Sequence, residues 1–182
     1  MKKISFLLLT LVVLFTACGD DRNEGAALRL DGDNLSAPLL TADTYEAAAR
    51  FSAAETGPFV GQNLTEVSYF IAGTPQQTTL IIYSGGTNEP EQVVYEASLT
   101  GTITQNSFNN HVLAEPLAIT GEPLWISIKI RQNRTLQTIG CDAGPTSTGG
   151  DWLFQESDGQ WLTFGQRNGE SINWNIRGFV AE

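Results

Sequence analysis

The sequence predicts an all-β domain of antiparallel strands, arranged as a sandwich or a barrel. From Leu64 to the C-terminus, short runs rich in apolar, β-branched and aromatic residues alternate with turn residues, a spacing typical of such folds. Asp158-Gly159 and Asn168-Gly169 are dipeptides that strongly favour tight hairpin turns. Apolar and polar residues also alternate along several runs, so one face of each strand is expected to lie in a core.

The first predicted elements follow one another between residues 45 and 56. Residues 45–51 are assigned to a strand, although the Ala, Glu and Arg residues there would also suit a helix. Ser52 and Glu55 have the spacing of a capping box, which marks the start of a helix. We therefore predict one short helical turn over residues 52–56, before Gly57-Pro58.

The last three strands are predicted to form an antiparallel meander. Asp158-Gly159 joins the run DWLFQE to QWLTF, and Asn168-Gly169 joins LTFGQR to ESINWNIRGF. Both connections have the chemistry of short hairpin turns.

Alternation assigns the faces of two strands. The residues predicted to face the core are Leu124, Ile126, Ile128 and Ile130 in one strand, and Ile172, Trp174, Ile176 and Val180 in the last. The opposite faces carry Trp125, Ser127, Lys129 and Arg131, and Asn173, Asn175 and Arg177. These side chains are predicted to point outward.

The N-terminus has the pattern of an export signal. Met1 and two lysines precede an apolar run over residues 4–17, which is shorter than the roughly 20 residues that span a bilayer. The small residues Thr16 and Ala17 then precede Cys18. This stretch resembles a bacterial lipobox, with Phe15 where an aliphatic residue is usual. The resemblance implies a signal peptide over residues 1–17 and a lipid-modified Cys18; a short transmembrane anchor and a plain secretory signal are the alternatives.

Acidic residues follow Cys18 directly in the stretch CGDDRNEG. It resembles the acidic tag behind the lipid-modified cysteine of many Bacteroidota lipoproteins, which implies display on the outside of the outer membrane. The alternative is a solvated spacer without a targeting role. Residues 18–43 are expected to form the lipidated cysteine and a flexible acidic tether, and residues 44–182 the folded domain.

Composition excludes one class of partner and one class of metal site. The chain has 20 acidic and 10 basic residues and a net charge of −10, so binding to phosphate backbones is not expected. Cys18 and Cys141 are the two cysteines, too few for a cysteine-based metal site. If Cys18 carries lipid, Cys141 has no partner for an internal disulfide and is expected to be a small buried residue.

Several further stretches together resemble a β-sandwich module of Bacteroidota surface and secreted proteins. They are AAARFSAAETGPFVGQNLTEVSYFI, PLWISIKI, GCDAGPTSTGGDWLF and INWNIRGFV, and the likeness covers most of residues 45–182. The module often accompanies adhesin or protease domains and commonly ends in Trp-Asn-Ile-Arg. The resulting expectation is a jelly-roll-like antiparallel β-sandwich with one short helical turn.

Catalytic signals in the sequence are weak. His111 is the single histidine and no Gly-x-Ser-x-Gly motif is present, so a nucleophilic site built from Cys141 and His111 has no local support. A carboxylate pair for glycoside hydrolysis could come from Asp142, Asp151, Glu156 and Asp158, but their separation is not defined by the sequence. Oxygen-bearing side chains over 142–151 would suit calcium, or simply a turn-rich connection.

Exposed aromatic residues are the remaining functional signal. A sugar offers apolar C–H faces and a rim of hydroxyls, so its site combines an aromatic ring with amides or charged groups. The candidate ligand-binding residues are Trp161, Trp125, Asn173, Asn175 and Arg177, unless the tryptophans only cap core edges. We expect a lipid-anchored outer-membrane binding or adhesion module for glycans, without a cofactor, rather than an enzyme. The alternatives are docking onto an envelope protein and, third, glycoside hydrolysis.

Overall fold

The computed structural model describes residues 28–181, and these residues form two antiparallel sheets packed face to face. In chain order the strands are β1 (Leu28–Arg29), β2 (Leu39–Leu40), β3 (Asp43–Phe51), β4 (Asn63–Ile71), β5 (Gln77–Ser84), β6 (Gln92–Ser98), β7 (Ser107–Ala118), β8 (Leu124–Gln132), β9 (Leu136–Gln137), β10 (Trp152–Gln155), β11 (Gln160–Thr163) and β12 (Ile176–Ala181). The helices are α1 (Ala53–Thr56) and α2 (Phe164–Asn168), with a 3₁₀ turn over Gly57–Phe59. The predicted signal peptide and Cys18 lie outside the described residues.

The sheet order confirms the predicted jelly-roll-like sandwich. One sheet has the order β1-β12-β4-β7, and the other has the order β11-β10-β3-β8-β5-β6. Eight strands of these sheets remain when the β10–β11 hairpin is left out. They pair from the outside of the sequence inward: β1 with β12, β3 with β8, β4 with β7, and β5 with β6. This nested antiparallel pairing is that of a jelly roll. A short β2–β9 ribbon lies beside the two sheets.

The core lies between the inner faces of the two sheets. Leu124 is 7 % exposed, and Ile126, Ile128 and Ile130 are fully buried, as their alternation predicts. Ile172, Trp174 and Ile176 are also buried, whereas Val180 near the end of β12 is only half-buried. The capping box is confirmed as well: the Glu55 carboxylate accepts from the backbone N–H of Ser52 at 2.7 Å, at the start of α1.

The predicted three-stranded meander is wrong in its second half. Asp158-Gly159 does join β10 to β11 as a hairpin. Asn168-Gly169, however, ends α2, and Gly169 has φ 74° and donates to the carbonyl of Gly165. The left-handed glycine that suits a tight hairpin equally suits a helix C-terminus. The Thr163 hydroxyl caps the start of α2, and the chain then crosses to the other sheet.

The predicted tether is wrong from residue 28 onward. Leu28 is 1 % exposed and pairs with Gly178 through β1 and β12. Asp31 is also buried, and the backbone N–H of Gly32 donates to the Asp142 carboxylate at 2.7 Å. Residues 28–36 are therefore part of the folded domain. No helix in the described range 28–181 is long and apolar enough to cross a membrane.

Candidate functional site

The outer face of the six-stranded sheet carries aromatic, charged and hydroxyl side chains, and it is the candidate ligand-binding surface. Because Tyr45, Ala47, Ala49 and Phe51 of β3 face the core, the alternate residues of β3 face away from it. Strand register then places the following residues on this outer face: Thr44, Glu46, Ala48 and Arg50 of β3, Trp125, Ser127, Lys129 and Arg131 of β8, Gln77, Thr79, Ile81 and Tyr83 of β5, Trp152 and Phe154 of β10, and Trp161 and Thr163 of β11. Small side chains at Ala48 and Ser127 leave room for large ones to lie across the sheet.

An aromatic cluster occupies the part of this face nearest β10 and β11. The ring of Trp125 lies 5.2 Å from that of Trp152 and 5.5 Å from that of Trp161, centroid to centroid. Trp161 also packs against Phe154 at 5.6 Å. Such tilted and edge contacts stabilise the cluster beyond burial alone. Trp152 and Trp161 are half-buried, so part of each ring remains open to a ligand.

Trp125 is on the predicted face but is not exposed. It is 0 % exposed, because Trp152 and Trp161 contact its ring. Its indole N–H donates to the carbonyl of Gly86 at 3.2 Å. Trp125 therefore forms the floor of the aromatic cluster and supports the two accessible tryptophans.

Asn173, Asn175 and Arg177 do not lie on an open surface, and the prediction that they point outward to solvent is wrong. Each is at most 2 % exposed. Asn173 Nδ2 donates to the Asp142 carboxylate at 2.9 Å, and Asn175 Nδ2 donates to that of Asp31 at 2.6 Å. Arg177 forms a buried ion pair with Asp31 at 2.8 Å. Residues 28–36 and the loop after Cys141 cover this face, so these side chains stabilise the fold.

A cavity of about 390 Å³ opens beside Trp152 at one end of the outer face. We call it the Arg50 cavity; its walls include Arg50, Thr146, Ser147, Thr148, Asp151, Trp152 and Thr163. The Arg50 guanidinium carbon lies 6.0 Å from the centre of the Trp125 ring. Burial raises the pKa of Asp151 even though the backbone N–H of Gly165 donates to its carboxylate.

A second cavity of about 430 Å³ lies at the opposite end of the same strands. We call it the Lys129 cavity, and its walls include Thr44, Gln77, Thr79, Lys129, Arg131 and Glu156. Arg50 faces Trp125 and Thr44 faces Arg131 in the β3–β8 register, so the two cavities are about 20 Å apart at ~3.4 Å per residue. The aromatic cluster is on the same face, which makes one extended surface.

Glu46 lies on the outer face between these two cavities. Its Oε1 accepts hydrogen bonds from the Ser127 hydroxyl at 2.6 Å and from the Tyr83 hydroxyl at 2.7 Å. Burial raises the pKa of Glu46 despite these bonds and the nearby charge of Lys129. Burial and the Glu46 carboxylate together raise the pKa of Tyr83.

Cys141 and His111 have separate neighbours and separate roles. Cys141 is buried, as predicted, and its Sγ lies 3.6 Å from the Ser36 hydroxyl. Burial raises the pKa of this thiol. His111 Nε2 lies 2.7 Å from the Tyr95 hydroxyl, and burial lowers the pKa of its ring. The described contacts therefore do not join the two side chains into a nucleophile–base pair.

Three of the four candidate carboxylates, Asp142, Asp151 and Asp158, are used in structural contacts. Burial opposes ionisation of Asp142, but hydrogen bonds from Gly32, Asn173 and Gly144 outweigh it and lower the pKa. Asp158 is paired with Arg167 at 2.6 Å, and these hydrogen bonds lower its pKa. Within residues 28–181 no group of three His, Cys, Asp or Glu side chains is arranged to hold a metal ion.

The sequence interpretation missed Arg50, Trp152 and Lys129 as site residues. Arg50 was part of a strand that could also be read as a helix, and only the strand assignment places it opposite the core face. Trp152 begins β10, and its partner Thr163 ends β11. The alternation of β8 did place Lys129 on the same face as Trp125, which was the available signal.

Comparison with known proteins identifies a shared fold. No family model matches the chain, and no curated protein sequence matches it. A structure of the clostridial cysteine protease Cwp84 after propeptide cleavage aligns with a TM-score of 0.59 at 12 % identity, over 84 % of this chain and 39 % of that one. A structure of the cysteine protease and lectin-like domains of Cwp84, a surface layer associated protein of Clostridium difficile, aligns with a TM-score of 0.53 at 9 % identity, over 76 % and 32 %.

The chain thus spans about two fifths or less of the length of these solved structures. Identity at this level establishes similarity of fold and not of activity. The chain is an all-β, jelly-roll-like sandwich with a fold shared by part of a surface layer associated protein that includes lectin-like domains.

Proposed function

We propose that residues 28–181 form a lectin-like, carbohydrate-binding module whose ligand surface is the outer face of the six-stranded sheet. The observation that carries this proposal is the pair of half-buried rings, Trp152 and Trp161, on the outer face of the six-stranded sheet, which has a polar cavity at each end. Aromatic rings can pack on the apolar faces of sugars, while hydroxyls, amides and charged groups bind their hydroxyl rims. The fold shared with a chain that includes lectin-like domains supports the same function.

The rigid floor of the site also suits sugar binding. Trp125 is fully buried beneath Trp152 and Trp161, so the two accessible rings are held in place before a ligand arrives. A preorganised surface loses less conformational entropy when it binds. The same surface offers the hydroxyl of Thr79 and the amide of Gln77 in the Lys129 cavity.

A glycan array followed by calorimetry tests the proposal. Trp161→Ala should weaken binding by about fivefold to tenfold, because aromatic contacts contribute ~1 kcal/mol beyond burial. Phe179→Ala is the matched control, since Phe179 is also a half-buried aromatic residue but belongs to β12 in the other sheet. If the wild-type domain binds no glycan, or if both variants bind equally well, this function is ruled out for the outer face.

We also propose that Cys18 anchors the protein to the outer membrane through lipid, with the domain facing outward. The motif Phe15 to Cys18 and the acidic residues behind it support this location. Two or more acyl chains give stable membrane attachment without a spanning helix. Cys18→Ser should abolish palmitate labelling and release the protein from the membrane fraction. Full labelling of this variant would contradict the lipid attachment site.

Docking onto an envelope protein is the second candidate function, and one open sheet edge favours it. The strand β7 (Ser107–Ala118) lies at the edge of its sheet, and Val112 in it is 69 % exposed. An extended partner segment could add to such an edge, although Pro116 lacks an N–H for pairing there. If the β7 edge is the docking site, a photo-crosslinking residue placed at Val112 should capture the partner protein in intact cells. If the outer face of the six-stranded sheet is the functional surface instead, no protein should be captured there.

A further inference from the structure

We propose that the glycan is acidic and that Arg50 binds a carboxylate group of one of its sugars. This inference rests on the proposed carbohydrate-binding function and names the ligand class of the same face. It concerns the Arg50 cavity, where a cation, the Trp152 ring and several hydroxyls meet.

The guanidinium of Arg50 has no acceptor within the described part of the chain. Its Nε is buried and makes no hydrogen bond, and neither described ion pairs nor described side-chain hydrogen bonds include this group. The neighbour that holds it is the Trp125 ring, 6.0 Å away. The two Nη groups also make no hydrogen bond among the described residues and are not buried. They are therefore the donors that a ligand in the cavity can reach, and charge-assisted hydrogen bonds of this kind are stronger than neutral ones.

The absence of an acidic partner for Arg50 is informative because three other arginines of the described chain do have one. In a chain with a net charge of −10, acidic partners are plentiful. Arg29, Arg167 and Arg177 each have a carboxylate within 4.0 Å. Arg50 and, in the second cavity, Lys129 and Arg131 have none among the described residues. The exposed Arg134, which lies outside this face, also has none there. The three cations of the outer face thus lack a described carboxylate within 4.0 Å, whereas Arg29, Arg167 and Arg177 are used in ion pairs.

Asp151, the carboxylate in the wall of the Arg50 cavity, does not form an ion pair with Arg50. Asp151 is 4 % exposed, and its Oδ2 accepts from the backbone N–H of Gly165 at 3.0 Å. It is not within ion-pair distance of Arg50. The accessible charge of the cavity is therefore positive.

The shape of a guanidinium favours a planar anion. Its parallel N–H groups match the two oxygens of a carboxylate, and such a charge-assisted pair is stronger than a neutral hydrogen bond. Trp152 can contact the apolar face of the same sugar, and the hydroxyls of Thr148 and Thr163 lie on the cavity wall. A sulfate ester offers similar oxygens, so the test separates carboxylate from sulfate.

The test compares matched polysaccharides on the chain from Gly19 to Glu182. Alginate, polygalacturonate and hyaluronan are each paired with their carboxyl-reduced forms, which keep the same linkages without the charge. Carrageenan and agarose form the sulfated and unsulfated pair. The variants are Arg50→Gln, Arg50→Lys and, as the matched control, Arg134→Gln, an exposed arginine that lies outside both outer-face cavities. Binding is measured by calorimetry and by affinity gel electrophoresis.

At least one uronate polymer should bind the wild-type protein about tenfold more tightly than its reduced form, the expected size of a charged hydrogen-bonded contact. Arg50→Gln should remove that preference, Arg50→Lys should restore only part of it, and Arg134→Gln should leave it unchanged. Binding of neutral polysaccharides alone, or a preference for carrageenan alone, overturns the carboxylate assignment while leaving the carbohydrate-binding function intact. If Arg50→Gln and Arg134→Gln lose the preference for the uronate polymer equally, the carboxylate assignment is also overturned, because the preference would then reflect overall charge. Absence of binding to every polysaccharide, neutral or acidic, instead rejects the proposed function itself.

Discussion

Replacing Arg177 with alanine is expected to destabilise the sandwich strongly, because it leaves the carboxylate of Asp31 buried without its main counter-charge. The Arg177 side chain is 2 % exposed and that of Asp31 is 0 % exposed. Arg177 Nε donates to both Asp31 oxygens at 2.9 and 3.0 Å, and Nη2 lies 2.8 Å from Oδ2. Removing one partner of such a buried pair costs about 3–5 kcal/mol.

The remaining contacts place the expected loss within that range. Asn175 still donates to Asp31 at 2.6 Å, and Arg29 Nε lies 3.6 Å from its other oxygen. These contacts reduce the penalty. The variant also loses the packing of the guanidinium 4.4 Å above the Phe108 ring, a contact of roughly 1 kcal/mol. We therefore expect the free energy of unfolding to fall by ~4 kcal/mol.

Urea denaturation of the chain from Gly19 to Glu182 measures this loss. With a slope of ~2 kcal/mol per molar urea, the midpoint should fall by ~2 M. Asp33→Ala is the matched control, since its carboxylate is fully exposed and 4.0 Å from Arg29; exposed pairs contribute little. Equal midpoints for Arg177→Ala and Asp33→Ala would refute the reasoning and indicate that residues 28–36 do not pack on the sandwich.

Three further predictions concern single side chains. Trp174→Ala should lower the free energy of unfolding by ~3–5 kcal/mol, because Trp174 is fully buried, whereas Trp161→Ala should cost clearly less in the same denaturation experiment. The folded protein holds the Glu46 proton to higher pH than the unfolded chain, so its stability should fall as the pH rises from the ordinary Glu pKa of 4.5 through the raised one. Glu46→Gln should remove this part of the fall and raise the melting temperature at pH 7; an unchanged difference between the two proteins across that range would contradict it. The buried thiol of Cys141 should react with a thiol reagent only after unfolding, and rapid labelling of the folded protein would show that it is accessible.

Local patterns in the sequence were sufficient for the features that depend on neighbours along the chain. The capping box of Ser52 and Glu55 marks the start of α1, and Asp158-Gly159 marks the β10–β11 hairpin. Alternation also identified the buried side of β8, where Ile126 and Ile128 are fully buried. Each of these signals lies within a few residues of the chain, so it can be recognised without knowledge of the tertiary structure.

Asn168-Gly169 shows where a local signal has two solutions. A glycine with positive φ can close a hairpin or end a helix, and the dipeptide alone does not distinguish them. The capping box of Thr163 and Gln166 upstream favours the helix. Only the assembled structure shows that the chain then moves to the opposite sheet, because strand pairing between distant segments is set by packing and not by the turn.

The sequence by itself determined that the chain alternates as antiparallel strands and which side of β8 and of the last strand enters the core. The tertiary structure alone decided what covers the other faces. Asn173 and Arg177 alternate correctly but are buried, because residues 28–36 and the loop after Cys141 lie over them. Trp125 is likewise covered by Trp152 and Trp161, which come from a hairpin that is distant in sequence. Alternation distinguishes two sides of a strand, whereas exposure depends on which distant segments pack against each side.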